Sequence, residues 1–214
     1  MLYCAVEFSA KSAEIISYMR KLFGAEPKCG LEYATDIDLL VASILSAQCT
    51  DKRVNIVTET LFKKYRTLHD YANANRNDLE REIYSCGFYR SKAANIIGMA
   101  RMVLADFGGK IPADIDGLVK LCGVGRKIAS VFLAEWHKLP AIAVDTHVIR
   151  VSGRLGLTRS KNPAVIERDL MRQIDKADWR LVNIYLVLFG RNYCRAQKPL
   201  CAECGVKKYC SLFK

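Results

Sequence analysis

Residues 1–8 carry no charged lead followed by an apolar run, so nothing there reads as a secretion signal. No uncharged apolar stretch nears the roughly 18 residues needed to span a bilayer. The greasiest late segment, residues 180–189, is bracketed by Arg180 and Arg191. Linkers rich in proline, glycine and serine are missing, as are repeats and low-complexity tracts, so any two domains are expected to pack together. Alternating strand patterns are missing too, apart from the short candidate 141–144. The expectation is an all-α, intracellular protein with no membrane contact.

The residues that are present sharpen that outline. Of 214 residues, 51% are apolar, enough for a core and too many for a disordered chain. The 33 basic residues outnumber the 22 acidic ones, for a net charge of +11. Such a surplus favours a polyanionic partner, because phosphates attract it whatever the base sequence. Helical periodicity dominates. Ile15, Ile16, Met19, Leu22 and Phe23 form one stripe, closed by Gly24 at a C′ position. Ala93, Ile96, Ile97, Ala100, Val103, Leu104 and Phe107 form another, closed by Gly108 and Gly109. Asp38, Asp51, Asn77 with Glu80, Asp114, Asn162 before Pro163, and Asp178 are candidate helix caps.

The densest chemistry lies in Leu121-Cys122-Gly123-Val124-Gly125-Arg126-Lys127 and the apolar helix after it. Two glycines spaced by one residue turn the chain and leave N–H groups uncovered. A helix N-terminus beside them adds more N–H groups and a positive dipole, which together seat a phosphate. Lys127 in that turn is a phosphate contact or, once it has lost its proton, a nucleophile. A helix start and neighbouring Arg126 favour that loss, and burial would add to it. Further on, Asp145 in Val144-Asp145-Thr146-His147 begins another helix, either as a plain cap or as a catalytic acid. His147 reads as structural.

Nine cysteines without a secretion signal are thiols or metal ligands rather than disulfides. Cys194, Cys201, Cys204 and Cys210 are spaced C-x6-C-x2-C-x5-C, able to wrap an iron–sulfur cluster or a tetrahedral zinc. The loop they enclose carries Arg195 and Lys198, two candidate phosphate contacts. Cys4, Cys29, Cys49, Cys86 and Cys122 show no ligand spacing and read as small, partly buried apolar residues.

The hairpin with its lysine, the later aspartate, the four-cysteine tail and Leu45-Ser46-Ala47-Gln48-Cys49-Thr50-Asp51 occur in one chain. Together they resemble endonuclease III, a bifunctional DNA glycosylase of the helix-hairpin-helix superfamily, over residues 38–209. The resemblance implies a six-helix barrel over 29–139, with the helix-hairpin-helix at about 113–137. It implies a second domain of 1–28 with 140–214, holding a [4Fe-4S] cluster in the loop 194–210. It implies a monomer that binds damaged double-stranded DNA in a cleft, flips out an oxidised pyrimidine, removes it, and cuts the abasic strand by β-elimination. Lys127 becomes the nucleophile and Asp145 the essential acid. Gln48 fills the hole left by the flipped nucleotide, and Phe88 takes the place of an apolar wedge, commonly leucine. Gly123, Gly125, Arg126, Arg195 and Lys198 become DNA contacts. The hairpin carries Cys122 where the family usually has proline. Two rivals remain: a monofunctional relative acting on mispaired bases, and a non-enzymatic DNA-binding module with structural zinc.

Overall fold

The structure is a computed structural model that describes the backbone of residues 2–213 and the side chains of residues 10–213. Cys4 lies outside the described side chains. Among the described residues there are α-helices and 3-10 turns but no strand, and the candidate 141–144 is extended coil. The chain divides into two compact units. One is Cys29–His137; the other joins Met1–Lys28 to Lys138–Lys214.

The first unit holds α2 (Asp36–Leu45), α3 (Asp51–Lys64), α4 (Leu68–Ala72), α5 (Arg76–Glu82), α6 (Tyr89–Asp106), α7 (Ile115–Leu118) and α8 (Arg126–Glu135). Its centre is α2, apolar beyond its first turn except for Ser43, with Leu39 through Leu45 buried. A helix with no polar face has to be enclosed, and α3, α6 and α8 enclose it. The stripe of α6 faces inward as its spacing predicts: Ala93, Ile96, Ile97, Ala100 and Val103 are buried. Each large buried side chain contributes about 1.5–3 kcal/mol relative to exposure.

Several caps sit elsewhere than the sequence suggests. Thr35, not Asp38, caps α2, and Asp38 returns the bond from the third helical position. Thr50, not Asp51, caps α3. Asn75 caps α5, whereas Asn77 lies inside it. In each case two polar residues near one helix start compete for the cap. The winner is the one whose backbone is extended while its side chain reaches forward.

The second unit is built from α1 (Leu2–Phe23), α9 (Thr146–Arg154), α10 (Pro163–Gln173) and α11 (Trp179–Asn192). Its core gathers Ile15, Ile16 and Met19 of α1 with Val148, Val151, Leu170, Tyr185 and Phe189. Helix α1 ends as expected, with Gly24 at φ +85° and its N–H on Arg20 O at 2.9 Å. Asn162 caps α10 through the Ala164 amide at 2.9 Å, with Pro163 next. Asp178 precedes α11 but makes no side-chain cap bond.

Candidate active site

In the first unit, α7 and α8 pack on each other across a hairpin. Asp114 caps α7 through the Gly117 amide at 2.8 Å. The chain then turns through Leu121 N–H to Leu118 O and Val124 N–H to Leu121 O, both at 3.1 Å. Gly123 sits at φ +75°, and a β-carbon there would come within 2.7 Å of the Asn95 side chain. Glycine is required twice over at this position. Gly125 differs: its backbone is extended and a β-carbon would meet open space. It caps α8 without offering a side chain, so the first-turn N–H groups keep their capacity for an anion. Gly125, Arg126 and Lys127 are all exposed. Lys127 is thus the second residue of a helix that no side chain caps. Its side chain is exposed, so the burial expected of it is absent.

Cys122 half-occupies the space beside α6, with its Sγ 3.5 Å from Met102 Sδ. A β-carbon on Gly98 would come within 2.9 Å of that sulfur. Cys122 is therefore a packing residue of the hairpin, as its lack of ligand spacing suggests.

Gln48 and Phe88 are exposed, and both adopt left-handed backbone, at φ +53° and +47°. For residues with a β-carbon this conformation costs on the order of 1–2 kcal/mol, and it persists only where neighbours enforce it. Phe88 is 65% exposed, a large apolar ring held in solvent. Lys198 shares the left-handed conformation, at φ +48°, and nearby Arg195 is also exposed.

In the second unit, Asp145 caps α9. Its Oδ1 accepts the Val148 amide at 2.8 Å, and no other bond to the carboxylate occurs among the described residues. The side chain is half-buried. The segment before it is pinned where the Asn183 side chain donates to Ala143 O at 2.9 Å. His147 pairs through Nδ1 with Arg150 at 3.1 Å and packs on Gly190, where a β-carbon would come within 2.8 Å of it.

The far end of α9 grips the cysteine loop. Arg150 donates to Cys194 O at 3.2 Å and Gly190 O at 3.0 Å. Arg154 donates to Arg195 O at 2.7 Å and Ala196 O at 3.2 Å, and meets Cys194 Sγ at 3.4 Å. Cys194, Cys201, Cys204 and Cys210 line one pocket with Leu155, Phe189, Pro199, Leu200, Lys207, Leu212 and Phe213. Burial pushes the Cys204 thiol up, with the other three thiols adding to it. No group of three or more Cys, His, Asp or Glu side chains closes on a single metal position among the described residues. The donor set nonetheless fits a thiolate-bound centre: four soft ligands, an apolar wall, and cationic Arg154 and Lys207 to balance negative charge.

The sequence missed a neighbourhood around Lys127. The Cys29 thiol, raised by burial, feels Lys127, Asp51 and Glu135. Tyr33 donates to Glu135 at 2.7 Å, and burial and that bond both push its phenol up. No local pattern announces it, because the residues come from separate parts of the chain.

Residues 41–176 match the model of the HhH-GPD superfamily base excision DNA repair proteins. Endonuclease III of Bacillus subtilis (strain 168) is 48% identical over 184 residues, covering 86% of this chain and 84% of that protein. Endonuclease III of a Synechocystis strain is 45% identical over 201 residues, covering 94% and 91%. A solved structure of a trapped endonuclease III–DNA covalent intermediate superposes with a TM-score of 0.90 at 42% identity, covering 95% of each chain. A thermostable thymine-DNA glycosylase, at 21% identity and a TM-score of 0.83, shares the fold.

Proposed function

The chain belongs to the endonuclease III family of the HhH-GPD base excision DNA repair proteins, and from that premise we propose how its residues act. It is a DNA-binding enzyme, a DNA glycosylase and abasic-site lyase. The observation that carries the reading is Lys127: an exposed amine at the second position of a helix that no side chain caps, beside a glycine turn able to hold a phosphate. A phosphate on Gly123, Gly125 and Arg126 brings a deoxyribose to that amine.

The substrate is an oxidised pyrimidine in duplex DNA. Extruding it costs a few kcal/mol. Gln48 and Phe88 offset part of that by refilling the stack, and their left-handed backbones hold both side chains out in solvent for it. The deprotonated amine of Lys127 bonds to C1′ as the C1′–N bond to the base breaks. The base leaves with the electron pair and takes up a proton. The nitrogen sheds a proton, the C1′–O4′ bond opens as O4′ takes one up, and the resulting iminium acidifies C2′; loss of a C2′ proton expels the 3′-phosphate and cuts the strand. Water then releases the lysine. Asp145, with one oxygen pinned by Val148, offers the other to the cationic sugar or to a proton in transit. Arg195 and Lys198 meet backbone phosphates.

We assign a [4Fe-4S] cluster to Cys194, Cys201, Cys204 and Cys210. The six- and five-residue gaps beside the single Cys201-x-x-Cys204 pair are long for a zinc knuckle, and Leu155, Phe189 and Phe213 give the four thiols an apolar wall. When bound, the cluster ties four distant positions of the loop together and gives no step of the reaction. The barrel domain (29–139) takes the unit Cys29–His137, and the cluster domain takes the other. No helix among the described residues is long and apolar enough to cross a membrane. A monomer working on genomic DNA inside the cell completes the proposal.

The test sets a duplex containing thymine glycol beside duplexes with A:G and T:G mismatches. Cleavage of the thymine-glycol strand alone is expected. Base release from a mismatch without strand cleavage would overturn the reading in favour of a monofunctional enzyme.

A further inference from the structure

Lys92 of α6 is 4% exposed, and burial pushes its amine down. Lysine is rarely buried unless it is paired. Its Nζ donates to Leu45 O at 2.8 Å and to Cys86 O at 2.9 Å. Leu45 is the last residue of α2, and Cys86 is the last of the 3-10 helix Tyr84–Cys86. Both carbonyls stand where a helix has run out of N–H partners. The Cys49 amide, which would reach Leu45 if α2 continued, bonds Ser46 O at 3.1 Å instead. One cation therefore sits at the negative ends of two helices at once. The thiols of Cys49 and Cys86 face the same amine.

The two loops that leave these carbonyls end on the same kind of residue. Beyond Leu45 the chain runs to Gln48, and beyond Cys86 to Phe88. Both endpoints are exposed and left-handed. Two strained loops thus leave a single buried anchor.

We propose that Lys92 is a positioning residue for the repair reaction. Its ammonium fixes the spacing between the Gln48 loop and the Phe88 loop, so that both side chains enter one gap in the duplex together. It touches no DNA. The proposal rests on reading Gln48 and Phe88 as the inserted residues. Three donors on a long stem suit the task. Methionine would fill similar space without reaching either carbonyl, and arginine could restore both bonds.

The experiment compares abasic-site nicking in duplex and in single-stranded DNA, where there is no stack to refill. In Lys92→Met the duplex rate should fall by roughly tenfold or more, while the single-strand rate changes by less than about twofold. Lys92→Arg should recover much of the duplex rate. A 2-aminopurine placed opposite the site should lose the fluorescence change that reports insertion. If Lys92→Met fails to fold, Lys92→Gln, which keeps donors on a shorter stem, reads the same ratio. Equal loss on both substrates, or no loss on either, overturns the proposal. Gln48→Ala with Phe88→Ala separates the two layers. That pair should itself show duplex-selective loss, and adding Lys92→Met to it should cost less than about twofold more. If the pair shows no selective loss, the insertion reading is the part that fails and takes the proposal with it. If the pair does and Lys92→Met does not, the fault is with Lys92 alone.

Discussion

Arg154 meets the sulfur of Cys194 at 3.4 Å, from the helix whose opposite end is capped by Asp145. The same guanidinium holds Arg195 O at 2.7 Å. One nine-residue helix, α9, thus links the proposed catalytic acid to the proposed cluster loop. Replacing Arg154 with methionine should remove charge-assisted bonds worth about 1.5–3 kcal/mol each when buried, and less here because the site is partly exposed. The expected result is faster bleaching of the cluster absorbance under oxidant and a melting temperature lowered by several degrees. Unchanged bleaching would show that the grip does not matter.

The cap that Asp145 makes and the acid role proposed for it are separable, and asparagine keeps only the first. Asn caps as well as Asp does, so Asp145→Asn should leave stability within a few tenths of a kcal/mol while strand cleavage collapses. Asp145→Ala should lose activity and also about 1 kcal/mol of stability. Denaturant titration beside a nicking assay reads both. A fully active Asp145→Asn would reduce the residue to a cap.

The two hairpin glycines should respond differently to alanine. Gly123→Ala places a β-carbon at φ +75° and against Asn95, so it should destabilise by about 2 kcal/mol or more. Gly125→Ala meets nothing and should leave the fold intact while weakening DNA binding at the phosphate seat. Circular-dichroism melting and a binding titration check the pair; equal melting temperatures would contradict the contrast.

Much of this is legible in the sequence, and the reason is locality. Asn162-Pro163, the Gly24 stop and the inward face of α6 depend on neighbours a few residues away, so a spacing rule finds them. The caps of α2 and α3 escape such a rule because Thr35 and Asp38, or Thr50 and Asp51, are equally able to bond an amide. Only the backbone conformation decides between them. Lys92 cannot be read at all. In the sequence it precedes the α6 stripe as an ordinary surface lysine; its burial exists because the ends of α2 and the 3-10 turn supply two carbonyls. Spacing alone finds the four cysteines, while the arginines that grip their loop come from another helix and leave no local sign.

Cys86 should make stability depend on pH in a defined direction. Burial and neighbouring Cys49 push its thiol from an ordinary 9.0 up to about 11, with Lys92 and Arg53 opposing. A raised thiol binds its proton more tightly in the folded state. Its contribution is therefore complete below about pH 9 and is lost as pH rises towards 11. The stability difference between wild type and Cys86→Ala, measured by urea titration, should shrink across that window. A difference that stays flat or grows would contradict the assignment. The subtraction is needed because Lys92, whose amine burial pushes down, gains stability with rising pH and partly masks the effect.

A covalent bond between Lys127 and the sugar can be caught directly. Borohydride added during incubation with a thymine-glycol duplex reduces an iminium to a permanent link. Wild-type protein should migrate with the DNA on a denaturing gel, and Lys127→Gln, folded and still able to bind, should not. Undiminished trapping by Lys127→Gln, or no trapping by the wild type while it releases bases, would contradict the account.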